Sequence, residues 1–222
     1  MIIPKKNFLI LSITLFMLFV FFSYLVAKET FTKLDFDLTV KFQDNLPRRV
    51  DFPFSTLSVL GSAEVSLSIW LFLSGVLFFK RHWLAFLSMG LLPLALILEI
   101  FGKTFIYHPG PPYLFYRGVI KFDFPSHFIQ ANYSYPSGHM TRTAFLIAFL
   151  MVFFYYKTSF KYQVLIQSVL SGLLILMFIS RIYLGEHWTS DVVGGALIGV
   201  SFGIIPAIFT VRSKKEIREL IN

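Results

Sequence analysis

The stretch VLIQSVLSGLLILMFISRIYLGEHWTSDVVGGALIGVSFGIIPAIFTV, residues 164–211, decides the fold. It holds two apolar runs, Val164–Leu184 and Trp188–Val211, parted by a short turn. A bilayer core is about 30 Å thick and an α-helix rises about 1.5 Å per residue, so one crossing takes roughly 20 apolar residues. Each run reaches that length. Phe8–Ala27, Phe54–Phe79, Leu84–Ile106 and His139–Tyr156 meet the same test, each bounded by charged, Pro or Gly residues. These spans predict an all-α, six-transmembrane-helix bundle with short interfacial helices in the outer loops. With no internal repeat, low-complexity tract or long linker, residues 1–222 read as one membrane-embedded domain.

Composition agrees. Of the 222 residues, 56% are hydrophobic and only 14% charged, more apolar than a soluble domain hides in one core. Cysteine is absent, which excludes disulfides, zinc-thiolate sites and cysteine nucleophiles. The formal net charge of +8 does not point to nucleic acid, because the cations lie in short clusters between apolar runs. Lys5 and Lys6 precede Phe8–Ala27 as in a signal peptide, but that run exceeds the roughly 7–15 residues of a signal core and reads as an uncleaved first span.

Alternating six spans from an inside N-terminus places Lys5, Lys6, Lys80, Arg81, Lys157, Lys161, Arg212, Lys214, Lys215 and Arg218 in the cytoplasm, opposed only by Glu216 and Glu219. Both termini are then cytoplasmic. The outer segment 28–51 balances Lys28, Lys33, Lys41, Arg48 and Arg49 against Glu29, Asp35, Asp37, Asp44 and Asp51. This distribution fits the positive-inside rule. Within that segment Leu34, Phe36, Leu38, Val40 and Phe42 alternate as in a strand, whereas unpaired backbone at a membrane surface favours a short interfacial helix at least as much. The longest loop, 107–136, carries Tyr113, Phe115, Tyr116, Phe122, Phe124 and Phe128 and reads as an aromatic lid in the headgroup region.

The same alternation brings three polar clusters to the outer face. Lys103 closes the third span, Ser137, Gly138 and His139 open the fourth, Arg181 closes the fifth, and His187 and Asp191 open the sixth. Four apart on a helix, His187 and Asp191 share one side, so the carboxylate can hold one imidazole nitrogen and leave the other's lone pair as a nucleophile. Ser137 and Gly138 follow Pro136 at a helix start, where unpaired N–H groups and the dipole favour an anion such as phosphate. Lys103 and Arg181 add charge-assisted donors, and His139 can protonate a leaving alkoxide. Any one of these residues alone reads more readily as an interfacial anchor or a cap; two histidines, a carboxylate and two cations on one face read as a site.

Pro136-Ser137-Gly138-His139, and Ser180-Arg181 followed after five residues by His187 and after three more by Asp191, resemble the second and third signatures of the type 2 phosphatidic acid phosphatase superfamily. Leu60-Gly61-Ser62 at the second span also resembles the membrane members. The resemblance implies a six-helix membrane bundle, catalysis without a metal or other cofactor, and a histidine that is transiently phosphorylated before water releases phosphate. It implies His187 as nucleophile, Asp191 as its partner, His139 as general acid, and Ser137, Gly138, Arg181 and Lys103 as phosphate ligands. The first signature departs from the family pattern of Lys, six residues, Arg-Pro, because Lys103 is followed at that spacing by Gly110-Pro111.

Losing one preorganised transition-state donor costs about 3–4 kcal/mol. Arg142, one turn beyond His139, or His108 in the loop is the candidate replacement charge. Glu99 lies one turn before Lys103 and is placed to pair with it, and Glu64 reads as an inward-facing polar contact. The expected activity is extracytoplasmic hydrolysis of a membrane lipid phosphate or diphosphate, of the undecaprenyl diphosphate, phosphatidylglycerol phosphate or phosphatidic acid type. The alternatives are a phosphotransferase using the same histidine and a membrane protein that binds lipid phosphates without turning them over.

Overall fold

The computed structural model describes residues 3–120 and 132–210. The expectations for Phe122, Phe124 and Phe128, and for Arg212, Lys214, Lys215, Glu216, Arg218 and Glu219, concern residues outside those described. Among the described residues the α-helices are α1 (Lys5–Ala27), α2 (Thr32–Asn45), α3 (Asp51–Gly61), α4 (Ala63–Phe79), α5 (Trp83–Ser88), α6 (Leu91–Phe105), α7 (Gly138–Lys157), α8 (Phe160–Tyr183) and α9 (Thr189–Thr210). Short 3-10 turns lie at Arg48–Val50 and Tyr113–Phe115.

Among the described residues five segments are long and apolar enough to cross a membrane: α1, α5 with α6, α7, α8 and α9. The run expected as one continuous second span is instead broken, with the segment ending in α3 bent by 47° against α4. The break falls at Gly61-Ser62. Ser62 leaves helical geometry, with ψ 157°, and its hydroxyl accepts the Val65 N–H at 3.4 Å, so the residue that ends one helix caps the next. Segment 28–51 resolves in favour of helix. In α2 Asp35 and Thr39 are buried while Leu34 and Phe36 point outward, and helical bonds satisfy the backbone without a strand partner.

The centre of the bundle is the α7–α9 pair, which share the most extensive interface. Gly195, Gly199 and Gly203 recur every fourth residue on α9, and a Cβ on each would run into the backbone of Ser137, Thr141 and Phe145 of α7 in turn. Small residues at this spacing let two helices approach backbone to backbone where lipid supplies no hydrophobic drive for association. Around this pair α1 and α8 expose apolar side chains such as Ile10, Met17, Phe21, Leu165 and Ile175, the surface expected to face acyl chains. Ser12 Oγ of α1 donates to the Ser201 carbonyl of α9 at 2.6 Å. The chain is thus an integral membrane protein, all-helical among the described residues, and its reversals bring the ends of α1, α6 and α8 and the starts of α3, α7 and α9 to one end of the bundle.

Candidate active site

The connection between α8 and α9 is built by two caps. At the end of α8 the Glu186 N–H bonds the Arg181 carbonyl at 3.2 Å and the Gly185 N–H bonds the Ile182 carbonyl at 3.0 Å, with Gly185 at φ +65°. That is the Schellman arrangement, which calls for glycine at its left-handed position. At the start of α9 the Asp191 Oδ2 reaches back to the Trp188 N–H at 2.9 Å, so the helix begins at Thr189. His187 therefore stands in the turn before α9. The expectation that it opens the helix is corrected: the Asp191 side chain, by capping Trp188, leaves His187 just outside, and its N–H bonds the Arg181 carbonyl at 3.3 Å. A Cβ on Gly185 would strike the Phe115 carbonyl. Gly185→Ala is expected to cost about 1–2 kcal/mol of stability from the left-handed backbone alone. Thermal unfolding in detergent reads this as a lowered midpoint, with kcat falling in parallel as His187 is displaced.

His187 and Asp191 still meet, at 3.3 Å between Nδ1 and Oδ2. Ser134, which the signature reading passed over, stands between them. Its Oγ lies 2.9 Å from His187 Nδ1 and donates to Asp191 Oδ2 at 2.5 Å. Proton counting fixes the tautomer. The single hydroxyl proton goes to the carboxylate, so Oγ can only accept from the ring, and Nδ1 must carry hydrogen. Nε2 is left with its lone pair. Ser134 is positioned by its own N–H, which bonds the His108 carbonyl at 2.9 Å. Tyr135 beside it is fully buried, hydrogen-bonded to Ser23 at 2.8 Å, and burial raises its phenol pKa, so it serves as a neutral wall.

The α7 start faces the α9 start: the Ser137 N–H donates to the Asp191 carbonyl at 3.0 Å. Two helix N-termini thus converge, each a positive dipole end, and at α9 the Trp188 and Ser190 N–H groups are already held by Asp191 and Asp35. Ser137 is fully buried, yet among the described residues its Oγ has no hydrogen-bond partner, and it does not cap its own helix. Arg181, also fully buried, donates from Nη1 to Ser58 at 2.7 Å and to Glu186 at 2.5 Å, and from Nε to Ser180 at 3.3 Å. Its Nη2 has no partner among the described residues. Buried donors are almost always satisfied, so these two groups are what an incoming anion would complete.

Lys103 and Arg142 are joined through Glu99. Lys103 Nζ lies 2.7 Å from Glu99 Oε1, as the helical spacing predicted, and Arg142 Nη1 lies 3.6 Å from Oε2. Arg142 Nη2 also donates to the Gly61 carbonyl at 3.2 Å, at the end of α3 where the dipole is negative. Gly138 sits directly beneath, where a Cβ would hit the Glu99 carboxylate. His139 packs against Gly61 and lies within electrostatic reach of Arg181, Arg142, His187 and Lys103. His108 does not stand in this cluster. It is buried on the far side of Asp191, with Nε2 3.4 Å from Asp191 Oδ1. Ser134, Ser58 and Glu186 had no signature to flag them; only proximity in the fold does.

The chain belongs to the PAP2 superfamily, whose family model matches residues 81–215. It is 25% identical over 129 residues to phosphatidylglycerophosphatase B of Bacillus subtilis (strain 168), an alignment covering 57% of this chain and 58% of that protein. The chain thus spans less than two thirds of that curated relative. Two solved structures share the fold. One is the transmembrane PAP2-type phosphatidylglycerolphosphate phosphatase from Bacillus subtilis, with a TM-score of 0.65 and 19% identity, covering 95% of this chain and 97% of the other. The second is LpxE of Aquifex aeolicus, with a TM-score of 0.55 and 28% identity, covering 78% and 94%.

Proposed function

We propose that this chain is a lipid phosphatase acting through a phosphohistidine at His187. The observation that carries the reading is the pairing of an Nδ1-anchored imidazole with two buried donors that have no partner among the described residues, Ser137 Oγ and Arg181 Nη2. His187 Nε2 attacks phosphorus, the bond from phosphorus to the lipid oxygen breaks, and His139 gives that oxygen a proton. Water then attacks the phosphohistidine, His139 takes a proton back, and the N–P bond breaks to release phosphate. Arg181, Lys103, Ser137 and the Gly138 N–H hold the non-bridging oxygens. Asp191 stabilises the positive ring that exists while Nε2 carries phosphorus.

The substrate is a membrane lipid bearing a phosphate monoester or diphosphate, with phosphatidylglycerol phosphate first among the candidates because the curated relative is a phosphatidylglycerophosphatase. Phosphatidic acid and undecaprenyl diphosphate types follow. A groove of about 510 Å³ between α2, α3 and α8, lined mainly by Leu38, Phe42, Leu46, Phe54, Leu176 and Ile179, supports entry of an acyl or prenyl tail. The chain works as one unit that crosses the membrane six times, with α3 and α4 as one bent span. Its termini are cytoplasmic and its site extracytoplasmic, a reading supported by the cation distribution in the loops. Purified protein with excess chelator is expected to release phosphate from such lipids; no release from any member of that panel would refute the assignment.

Gly110 stands where the family pattern has arginine. A Cβ there meets only Ser134, at 3.5 Å, which is ordinary contact, and its φ is not left-handed. Gly110→Arg is therefore expected to fold and to raise kcat/KM by about tenfold or more, since one preorganised donor is worth up to about 10²–10³-fold. Steady-state phosphate release checks this. A folded variant with unchanged kcat/KM would show that Arg142 already fills the role.

A further inference from the structure

Behind Asp191 the site continues into a second set of buried polar groups. Ser190 Oγ donates to Asp35 Oδ2 at 2.6 Å, and the Ser190 N–H donates to Asp35 Oδ1 at 2.8 Å. His108 Nε2 lies 3.0 Å from Ser190 Oγ, 3.7 Å from Asp35 Oδ2 and 3.4 Å from Asp191 Oδ1. The hydroxyl proton of Ser190 is committed to Asp35, so Oγ accepts from the ring and His108 Nε2 carries hydrogen. The pattern repeats that of the nucleophile: imidazole N–H to serine, serine O–H to carboxylate. Asp35, His108, Ser190 and Asp191 are each at most 5% exposed.

Asp191 Oδ2 accepts from Ser134 and from the Trp188 N–H, whereas among the described residues Oδ1 has no hydrogen-bond partner and only His108 within ion-pair distance. A buried carboxylate oxygen left without a donor costs free energy that rotation of the side chain would relieve. Rotation would remove the acceptor on which the His187 tautomer depends. We infer that His108 and Asp35 are positioning residues for the nucleophile, forming with Ser190 an outer relay that keeps the Asp191 carboxylate turned toward His187. The inference rests on His187 acting as the nucleophile. It gives His108 a different task from replacing the arginine absent at Gly110, since its Nε2–H is held between two carboxylates that would repel a phosphate. Burial raises the Asp35 carboxyl pKa, in keeping with a side chain that depends on the Ser190 donors and on His108 nearby.

The test combines steady-state kinetics on a lipid phosphate with rapid-quench measurement of phosphoenzyme formation, for His108→Ala, His108→Gln, Asp35→Asn and His187→Ala. His108→Ala and Asp35→Asn are expected to lower kcat and the rate of phosphoenzyme formation by about 10–100-fold, the usual scale for supporting-shell changes, with KM moving less than about threefold. His108→Gln, whose amide N–H can replace Nε2–H, recovers most of the loss. A raised KM at unchanged kcat for His108→Ala, or wild-type phosphoenzyme formation in both His108→Ala and Asp35→Asn, would overturn the inference. Unfolding midpoints in detergent accompany each variant, and Ser190→Ala, which deletes only the bridging hydroxyl, replaces any that fails to fold. Persistent turnover in His187→Ala would instead bring down the phosphohistidine reading itself.

Discussion

With His187→Ala, phosphate release from a lipid phosphate is expected to fall on the order of 10⁴-fold or more in kcat, the scale on which losing a covalent nucleophile leaves only binding and electrostatics. The expectation follows from how the ring is held. Nδ1 is fixed by Ser134 and Asp191, so the lone pair is confined to Nε2, and no rotation of another side chain reproduces that arrangement. Both partners are spent on His187, so His139 does not inherit their support. KM is expected to change less than kcat, because Arg181, Lys103 and Ser137 remain to hold the phosphate. Residual turnover within tenfold of wild type, measured by phosphate release, would contradict the assignment.

Arg181→Lys is the second large expected loss, about 10²–10³-fold in kcat/KM. The guanidinium serves Ser58, Glu186 and Ser180 with two nitrogens and keeps Nη2 without a partner. A lysine brings one compact ammonium, which cannot stay on Glu186 and also present a donor to phosphate. The loss should fall mainly on kcat, since the spare donor matters most where charge develops. The measurement is a full kinetic comparison alongside the unfolding midpoint, and near-wild-type kcat/KM in a folded variant would refute the role.

Much of this was legible in the residues, for identifiable reasons. The long apolar helices followed from apolar length, and the Lys103–Glu99 pair followed from helical spacing. The break at Gly61-Ser62 was not anticipated, because hydropathy averages across a single capping serine. The Gly195, Gly199, Gly203 stripe was in plain sight and names the helix that packs closest on α7, had small residues been read as an interface. His187 was expected on a helix because the four-residue spacing fits one. The spacing fits equally a turn whose carboxylate reaches back to cap. Asp35 was counted among loop charges, and Asp51 likewise. Both are buried, Asp51 receiving the Tyr183 hydroxyl and Asp35 the Ser190 donors. Such long-range partners leave no local pattern, which is why the inner signatures were readable and their supports were not.

The most direct test of the central claim is trapping of the intermediate. Lipid substrate carrying labelled phosphate, mixed with enzyme and quenched in alkali, should leave protein-bound label that is stable to base, lost in acid and carried by the peptide containing His187. Label should be missing from His187→Ala. No bound label in an enzyme that is turning over, or label on another residue, would contradict the account.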